Sequence, residues 1–477
     1  MPSPSVIIIV ADGARPDTLG AAIDRGGLPA LAQLRAEGGA HTVTSVFPSV
    51  TGPAYVPFLM GRFPGPVGLP GLRWYDRSRR TASAPHYTRS YVGAEMRHVD
   101  RDLAVEAPTL FELAAARGGA SVAALNMIGR GLPKSGQMAR SARFAIRAAR
   151  TYFSGDVAGW LAIDEDIAGQ VAERVARERP MVTFAALTGI DKTSHSLGHG
   201  AEQIDDALGI VDRLIGRLRG DAERDGRWAS TTLMVVSDHG HSPVDQHEDL
   251  DGVVRDLGHR TVAHPWVYSL RAPDVAVMVS GNAMAHLYLE PAQRAAPGWP
   301  ALAARWGSLR DALMARPSVD LALFPSGAGR CHVAGRGRGE ADVEHDAERG
   351  LYAYRPHGGD PLSLGGPVEW CDEREAYARC APTDYPDALV QIAHLASSTR
   401  AGDIILSAAR GWDFRARYEP IPHRSSHGAL HREHMLVPLL LNRRPAGAPR
   451  RTTDVMPTAL HSLGIAVPEG LDGESCF

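Results

Sequence analysis

The sequence predicts an α/β protein built on a mainly parallel central sheet with helices on both faces. Three observations predict it. First, Ser5-Val-Ile-Ile-Ile-Val10, Met181–Leu187 and Thr231–Ser237 are continuous apolar runs rich in β-branched residues. Such runs suit strands buried on both faces of a parallel sheet. Second, helical periodicity fills the intervals. Trp160, Ile163, Ile167, Val171 and Val175 share one face, as do Ile204, Leu208, Val211, Ile215 and Leu218. Third, strand and helix alternate, as in layered α/β folds.

Taken in order, residues 1–245 carry this pattern. Residues 246–400 read as a smaller α+β cap insertion, and 401–477 as the closing part of the core. The insertion holds a strand-like stretch, Asp274–Leu289, broken at Ser280-Gly-Asn282. A helix near Ala301–Ala315 and short strands between glycine-rich turns follow. Asp403-Ile-Ile-Leu406 reads as the parent pattern resuming. Gly335-Arg-Gly-Arg-Gly339 is a short basic loop, read as a solvated turn before a phosphate contact. A length of 477 residues allows two or three domains.

Composition narrows the class. A net charge of -3 implies no broad attraction to nucleic-acid polymers or anionic membranes. Runs such as Leu436–Leu441 fall far short of the roughly 20 residues of a membrane span. Met1–Ser5 has no basic segment and Val6–Val10 is short for a secretory h-region, so a cytoplasmic location is expected. The four cysteines, Cys331, Cys371, Cys380 and Cys476, form no CxxC pair. Cys371 and Cys380 could pair in an oxidising compartment. No GxSxG follows a strand, which disfavours a serine α/β hydrolase.

Metal and phosphate chemistry is suggested by groups at or just beyond predicted strand ends, where open α/β sheets bind ligands. Asp12 follows the first strand, and by itself reads as a turn or cap residue. Thr51 lies in Val46-Phe-Pro-Ser-Val-Thr-Gly-Pro-Ala-Tyr55, at or near the N-cap of a helix through Tyr55–Met60, with Pro53 in its first turn. A cap is one role there. A nucleophile is the other, if a metal or base activates the hydroxyl. Asp191 and His195, four apart in Thr188-Gly-Ile-Asp-Lys-Thr-Ser-His195, share a face if helical, and a carboxylate with an imidazole suits zinc or manganese. Asp238 and His239 close the Thr231–Ser237 strand, where Asp-His-Gly is hard to explain by packing. His199 is read as peripheral, and His241 and His247 carry no assignment. His427 is one of four histidines between His423 and His434.

The joint occurrence of these stretches resembles the alkaline phosphatase superfamily, especially its type I phosphodiesterase/nucleotide pyrophosphatase branch. Thr453-Asp-Val-Met-Pro-Thr-Ala-Leu460 and Gly470-Leu-Asp-Gly473 resemble the superfamily's C-terminal end. The resemblance implies two divalent ions, zinc with manganese as the alternative. One would sit on Asp191, His195 and His427, the other on Asp12, Asp238, His239 and Thr51. It also implies that Thr51, rather than Ser49, is the nucleophile and passes through a phosphothreonine.

The expected substrate is a small phosphate ester, most naturally a diester. Phosphomonoesters and phosphonates are the alternatives within the superfamily, and a non-catalytic metal-containing binding protein is the alternative outside it. No sulfatase-type Cys/Ser context surrounds Thr51. The branch's phosphate-contacting asparagine is missing from Gly68-Leu-Pro-Gly-Leu-Arg-Trp-Tyr-Asp76, so Arg73 and Asn126 are the candidate substrate contacts. The loops at Asp360–Leu362 and Gly411–Asp413 are expected near the site, and a homodimer is allowed.

Overall fold

The computed structural model describes residues 3–477 apart from 82–85, 93, 140, 269–271, 328 and 416–418. The buried strand Ser5–Ala11 is central to a seven-stranded sheet. Its order is Ala40–Thr44, Leu436–Leu441, Thr231–Val236, Ser5–Ala11, Val182–Leu187, Ser121–Ala124 and Gln137–Met138. The pairings from Thr231–Val236 through Gln137–Met138 are parallel, and the two at the Ala40–Thr44 edge are antiparallel.

Strand alternation sends successive side chains to opposite faces. Ile7 and Ile9 pack against helices Pro16–Asp24, Pro29–Gly38, Val157–Glu178 and Gln203–Arg224. Val6, Ile8 and Val10 face helices Val56–Met60, Leu110–Ala116 and Val455–Leu463. The sheet is therefore covered on both sides, which accounts for the unbroken apolar runs in the sequence.

Among the described residues, residues 261–408 build a second sheet of nine strands. The break at Ser280–Asn282 is the turn of an antiparallel hairpin, Val275–Ser280 with Met284–Leu289. Helix Trp299–Met314 covers one face, with Leu302 and Leu309 against Val277 and Leu406, and helix Ala388–Ala396 covers the other, with Leu389 and Ile392 against Leu323 and Ile405. One expectation is corrected. Strand Ile404–Ala408 does not resume the parent sheet but pairs with Met284–Leu289 and Val319–Gly327 inside the second one. Its apolar run is the same in either sheet, so composition alone does not choose. The basic loop is a hairpin turn with Arg336 exposed; Arg338 pairs with Asp320 at 2.9 Å and Arg336 Nε donates to Val319 O at 2.9 Å. Cys371 and Cys380 are buried and unpaired.

A buried ion pair ties the two sheets together. Arg451, just before helix Val455–Leu463, donates Nε and Nη2 to the two carboxylate oxygens of Asp387 at 2.6 and 2.7 Å. Arg451 is 2% exposed and Asp387 fully buried. This bidentate geometry is the strong form of the pair. Arg451→Met leaves Asp387 charged and unpaired, and is expected to lower unfolding stability by about 3–5 kcal/mol. Urea unfolding checks this, and an unchanged midpoint would contradict it.

Candidate active site

The site forms at the carboxyl ends of three adjacent parallel strands, Thr231–Val236, Ser5–Ala11 and Val182–Leu187. Asp12 follows the central one, and its N–H donates to Leu187 O at 3.1 Å. Gly13 then turns with φ +80°, and its N–H donates to Asp238 Oδ1 at 3.3 Å. A Cβ there would lie 2.8 Å from His241 Nε2 and 3.1 Å from Asp191 Cα, so this close approach requires glycine.

Thr51 precedes Gly52, whose φ of +97° leads into the 3-10 turn Pro53–Tyr55 and helix Val56–Met60. The cap position of that turn belongs to Gly52, not Thr51. Thr51 Oγ1 instead lies 3.2 Å from His239 Nε2 and 3.5 Å from Asp12 Oδ1. Ser49 is turned away, its hydroxyl donating to Ala429 O at 3.1 Å.

Helix Gly189–Leu197 presents Asp191 and His195 on one face, with His195 Nε2 3.1 Å from Asp191 Oδ1. Its N-terminus is fixed by buried Asp164 of helix Val157–Glu178. The Thr188 and Gly189 N–H groups donate to the two Asp164 oxygens at 3.1 and 2.5 Å. Sequence spacing carries no signal for Asp164, because the contact joins separate helices.

Hydrogen bonds at one ring nitrogen set what the other offers. A carbonyl oxygen can only accept. His195 Nδ1 therefore donates to Ser425 O at 2.8 Å, His427 Nδ1 to Ser49 O at 3.0 Å, and His239 Nδ1 to Gly240 O at 3.2 Å. In its neutral form each ring turns a bare Nε2 lone pair inward. His427 Nε2 lies 3.6 Å from Asp191 Oδ1, and His239 Nε2 lies 3.4 Å from Asp12 Oδ1 and 3.5 Å from Asp238 Oδ2.

The same logic separates the other C-terminal histidines. His434 Nδ1 accepts from Ala429 N at 3.0 Å, His423 Nδ1 accepts from Asn282 Nδ2 at 2.8 Å, and His431 Nδ1 lies 2.7 Å from Glu433 Oε2.

Among the described residues, candidate ligand atoms fall into three groups, each within 4.8 Å: Asp12–Asp238–His239, Asp191–His239–His427 and Asp191–His195–His241. The structure thus brings together Asp12, Thr51, Asp191, His195, Asp238, His239 and His427. His427 lies between the two ends, stacked on His239 with ring centroids 3.6 Å apart, and the group around His195 contains His241. His241 is the residue the sequence left unassigned; its spacing of two from His239 was the available signal.

The electrostatics fit divalent cations. Asp12 and Asp191 are 1% exposed and Asp238 fully buried. Burial first, then the neighbouring aspartates, raises the Asp12 pKa well above the usual carboxylate range. Burial, with the Asp191 charge adding, raises that of Asp238, although His239 opposes it. Asp191 goes the other way: burial would raise its pKa, but His195 and Lys192 outweigh that. Lys192 Nζ lies 2.6 Å from Asp191 Oδ2, and its charge also acts on Asp12. Asp238 Oδ2 is buried with no hydrogen-bond partner among the described residues. Buried carboxylates with facing imidazole lone pairs form the donor set that zinc or manganese takes.

The substrate candidates lie further out. Arg73 is 3.6 Å from Glu419 and lines a cavity of about 200 Å³ with His264, Trp266, Tyr268 and Phe414. Asn126 accepts from Ile128 N at 3.1 Å and donates back to Ile128 O. Gly411–Asp413 approaches the histidine cluster, Asp413 Oδ2 lying 3.8 Å from His423 Nδ1, whose ring centroid is 4.1 Å from that of His195. Asp360–Leu362 does not. Leu362 is buried in the core of the second sheet, and Asp360 accepts from Tyr354 Oη at 2.7 Å.

No curated protein matches this sequence. Among solved structures, human ectonucleotide pyrophosphatase/phosphodiesterase 5 is 15% identical with a TM-score of 0.60, over 98% of this chain and 97% of that one. An inactive form of the murine protein in complex with AMP is 15% identical with a TM-score of 0.58, over 98% of both chains. Phosphonoacetate hydrolase from Sinorhizobium meliloti, in complex with phosphonoformate, is 18% identical with a TM-score of 0.57, over 98% and 97%. These likenesses show the shared alkaline phosphatase-like fold. The family model of type I phosphodiesterase / nucleotide pyrophosphatase matches residues 6–300. The chain accordingly belongs to the type I phosphodiesterase/nucleotide pyrophosphatase family of phosphoryl-transfer hydrolases.

Proposed function

We propose that this hydrolase cleaves small phosphodiesters through a phosphothreonine on Thr51. The observation that carries the reading is the placement of the Thr51 hydroxyl, free of a capping role and facing His239 Nε2 and Asp12 Oδ1. Held by Asp12, Thr51, Asp238 and His239 on one side and by Asp191, His195 and His427 on the other, two divalent cations, zinc with manganese as the alternative, would supply the charge that lowers the hydroxyl pKa and neutralises phosphoryl oxygens.

The chain's own residues do the positioning. Asp12 accepts the Thr51 hydroxyl bond and is itself held by the Tyr55 hydroxyl, which donates to Asp12 Oδ2 at 3.4 Å. Thr51 Oγ1 attacks phosphorus; its bond to phosphorus forms as the bond to the leaving oxygen breaks. Water then cleaves the phosphothreonine, restoring the hydroxyl and releasing a phosphomonoester. Asp164 keeps the Asp191–His195 helix in register.

Arg73 and Asn126 are the proposed substrate contacts. The aromatic walls beside Arg73 favour a diester carrying an aryl group or a nucleobase. The complexes of the solved relatives with AMP and phosphonoformate make nucleotides and phosphonates the test compounds. The four buried, unpaired cysteines support a cytoplasmic setting, and no helix among the described residues is long and apolar enough to cross a membrane.

Thr51→Ala is expected to lower turnover by roughly 10³-fold or more while metal content is kept, as for loss of a covalent nucleophile. Ser49→Ala should stay near normal; the reverse order would remove the nucleophile assignment. Elemental analysis after dialysis should give two equivalents of divalent metal, and an active, metal-free, chelator-insensitive protein would refute the metal reading. In a panel of aryl phosphodiesters, phosphomonoesters and phosphonates, diesters should show the highest kcat/KM, with Arg73→Ala reducing it chiefly through KM.

A further inference from the structure

We propose that His241 is a metal ligand at the Asp191 centre, beyond the set that family resemblance assigns. The proposal rests on the two-metal reading above and adds to it. His241 is fully buried, and its Nε2 lies 3.0 Å from Asp191 Oδ1. Its tautomer follows from its neighbours. Ser425 Oγ has one hydrogen and donates it to Ser242 O at 2.8 Å, an atom that can only accept. The same Oγ is 3.3 Å from His241 Nδ1, so it accepts the ring's Nδ1–H.

In the neutral ring, Nε2 then carries a lone pair pointed at a carboxylate oxygen. Two acceptors at 3.0 Å repel unless a cation lies between them. A proton on Nε2 is one such cation, but it would serve His241 alone, whereas the ligand atoms of Asp191, His195 and His241 all lie within 4.8 Å of one another. A metal ion satisfies both lone pairs. His195 Nε2 reaches the same oxygen at 3.1 Å, with its Nδ1 also committed to Ser425, through the carbonyl. One serine thereby orients both rings.

Asp191, His195, His241 and His427 together give this centre four donors, three of them imidazole. That set suits zinc better than manganese, which favours oxygen ligands. The Asp12–Asp238–His239 centre is richer in oxygen.

The test substitutes ¹¹³Cd into the full-length protein with ¹⁵N-labelled histidine and counts rings by ¹¹³Cd–Nε2 correlation. Four coupled rings are expected, His195, His239, His241 and His427, with His241→Gln removing one and leaving three. Glutamine can still donate to Asp191, so a merely hydrogen-bonding His241 would be replaced without loss of a correlation. Three correlations in wild type, all kept in His241→Gln, would overturn the proposal while leaving the two-metal reading intact. No correlation at all would remove both. Should His241→Gln fold poorly, His241→Met serves as the second assignment variant, and the wild-type count alone still decides.

Discussion

The structure depends on keeping Asp12, Asp191 and Asp238 together inside the protein, at the ends of three parallel strands. Like charges this deeply buried repel, and each has lost its hydration. One lysine, Lys192, cannot balance them. What makes the arrangement coherent is the direction of the surrounding imidazoles. Backbone carbonyls hold Nδ1 of His195, His239 and His427, so the opposite nitrogens face the carboxylates. The cluster supplies the donor set that divalent cations take.

The rest of the architecture serves that convergence. Parallel pairing brings Asp12, Asp238 and the Asp191 helix to one edge. Glycine at position 13 lets the chain pass between His241 and Asp191. The second sheet contributes as well. Its hairpin turn places Asn282 in a parallel bridge with His427, and the Ala283 N–H donates to His427 O at 3.1 Å. The insertion therefore positions His427 while also carrying part of the Arg73 cavity wall.

Much of the core was legible because it depends on local pattern. Residues 5–11, 182–187 and 231–236 are mainly apolar because both faces are covered, and Asp12, Asp238 and His239 stand out as charged or ionisable groups at their ends. Three features were less legible. Ile404–Ala408 is as apolar as a parent strand, but its pairing is decided by partners far away in sequence. Asp164 looks like an ordinary helix residue until Thr188 and Gly189 are seen to donate to it. His241 is two residues past His239, yet its direction is set by Ser425 from the other end of the chain. Long-range hydrogen bonds, rather than spacing, define these roles.

The central claim is that distant segments form one bimetallic cradle around a threonine hydroxyl. The most direct measurement is anomalous diffraction at the zinc edge from crystals grown with zinc. Two peaks are expected flanking Thr51 Oγ1, one beside Asp12, Asp238 and His239 and the other beside Asp191, His195 and His427. A single peak remote from Thr51, or none within this cluster, would contradict it.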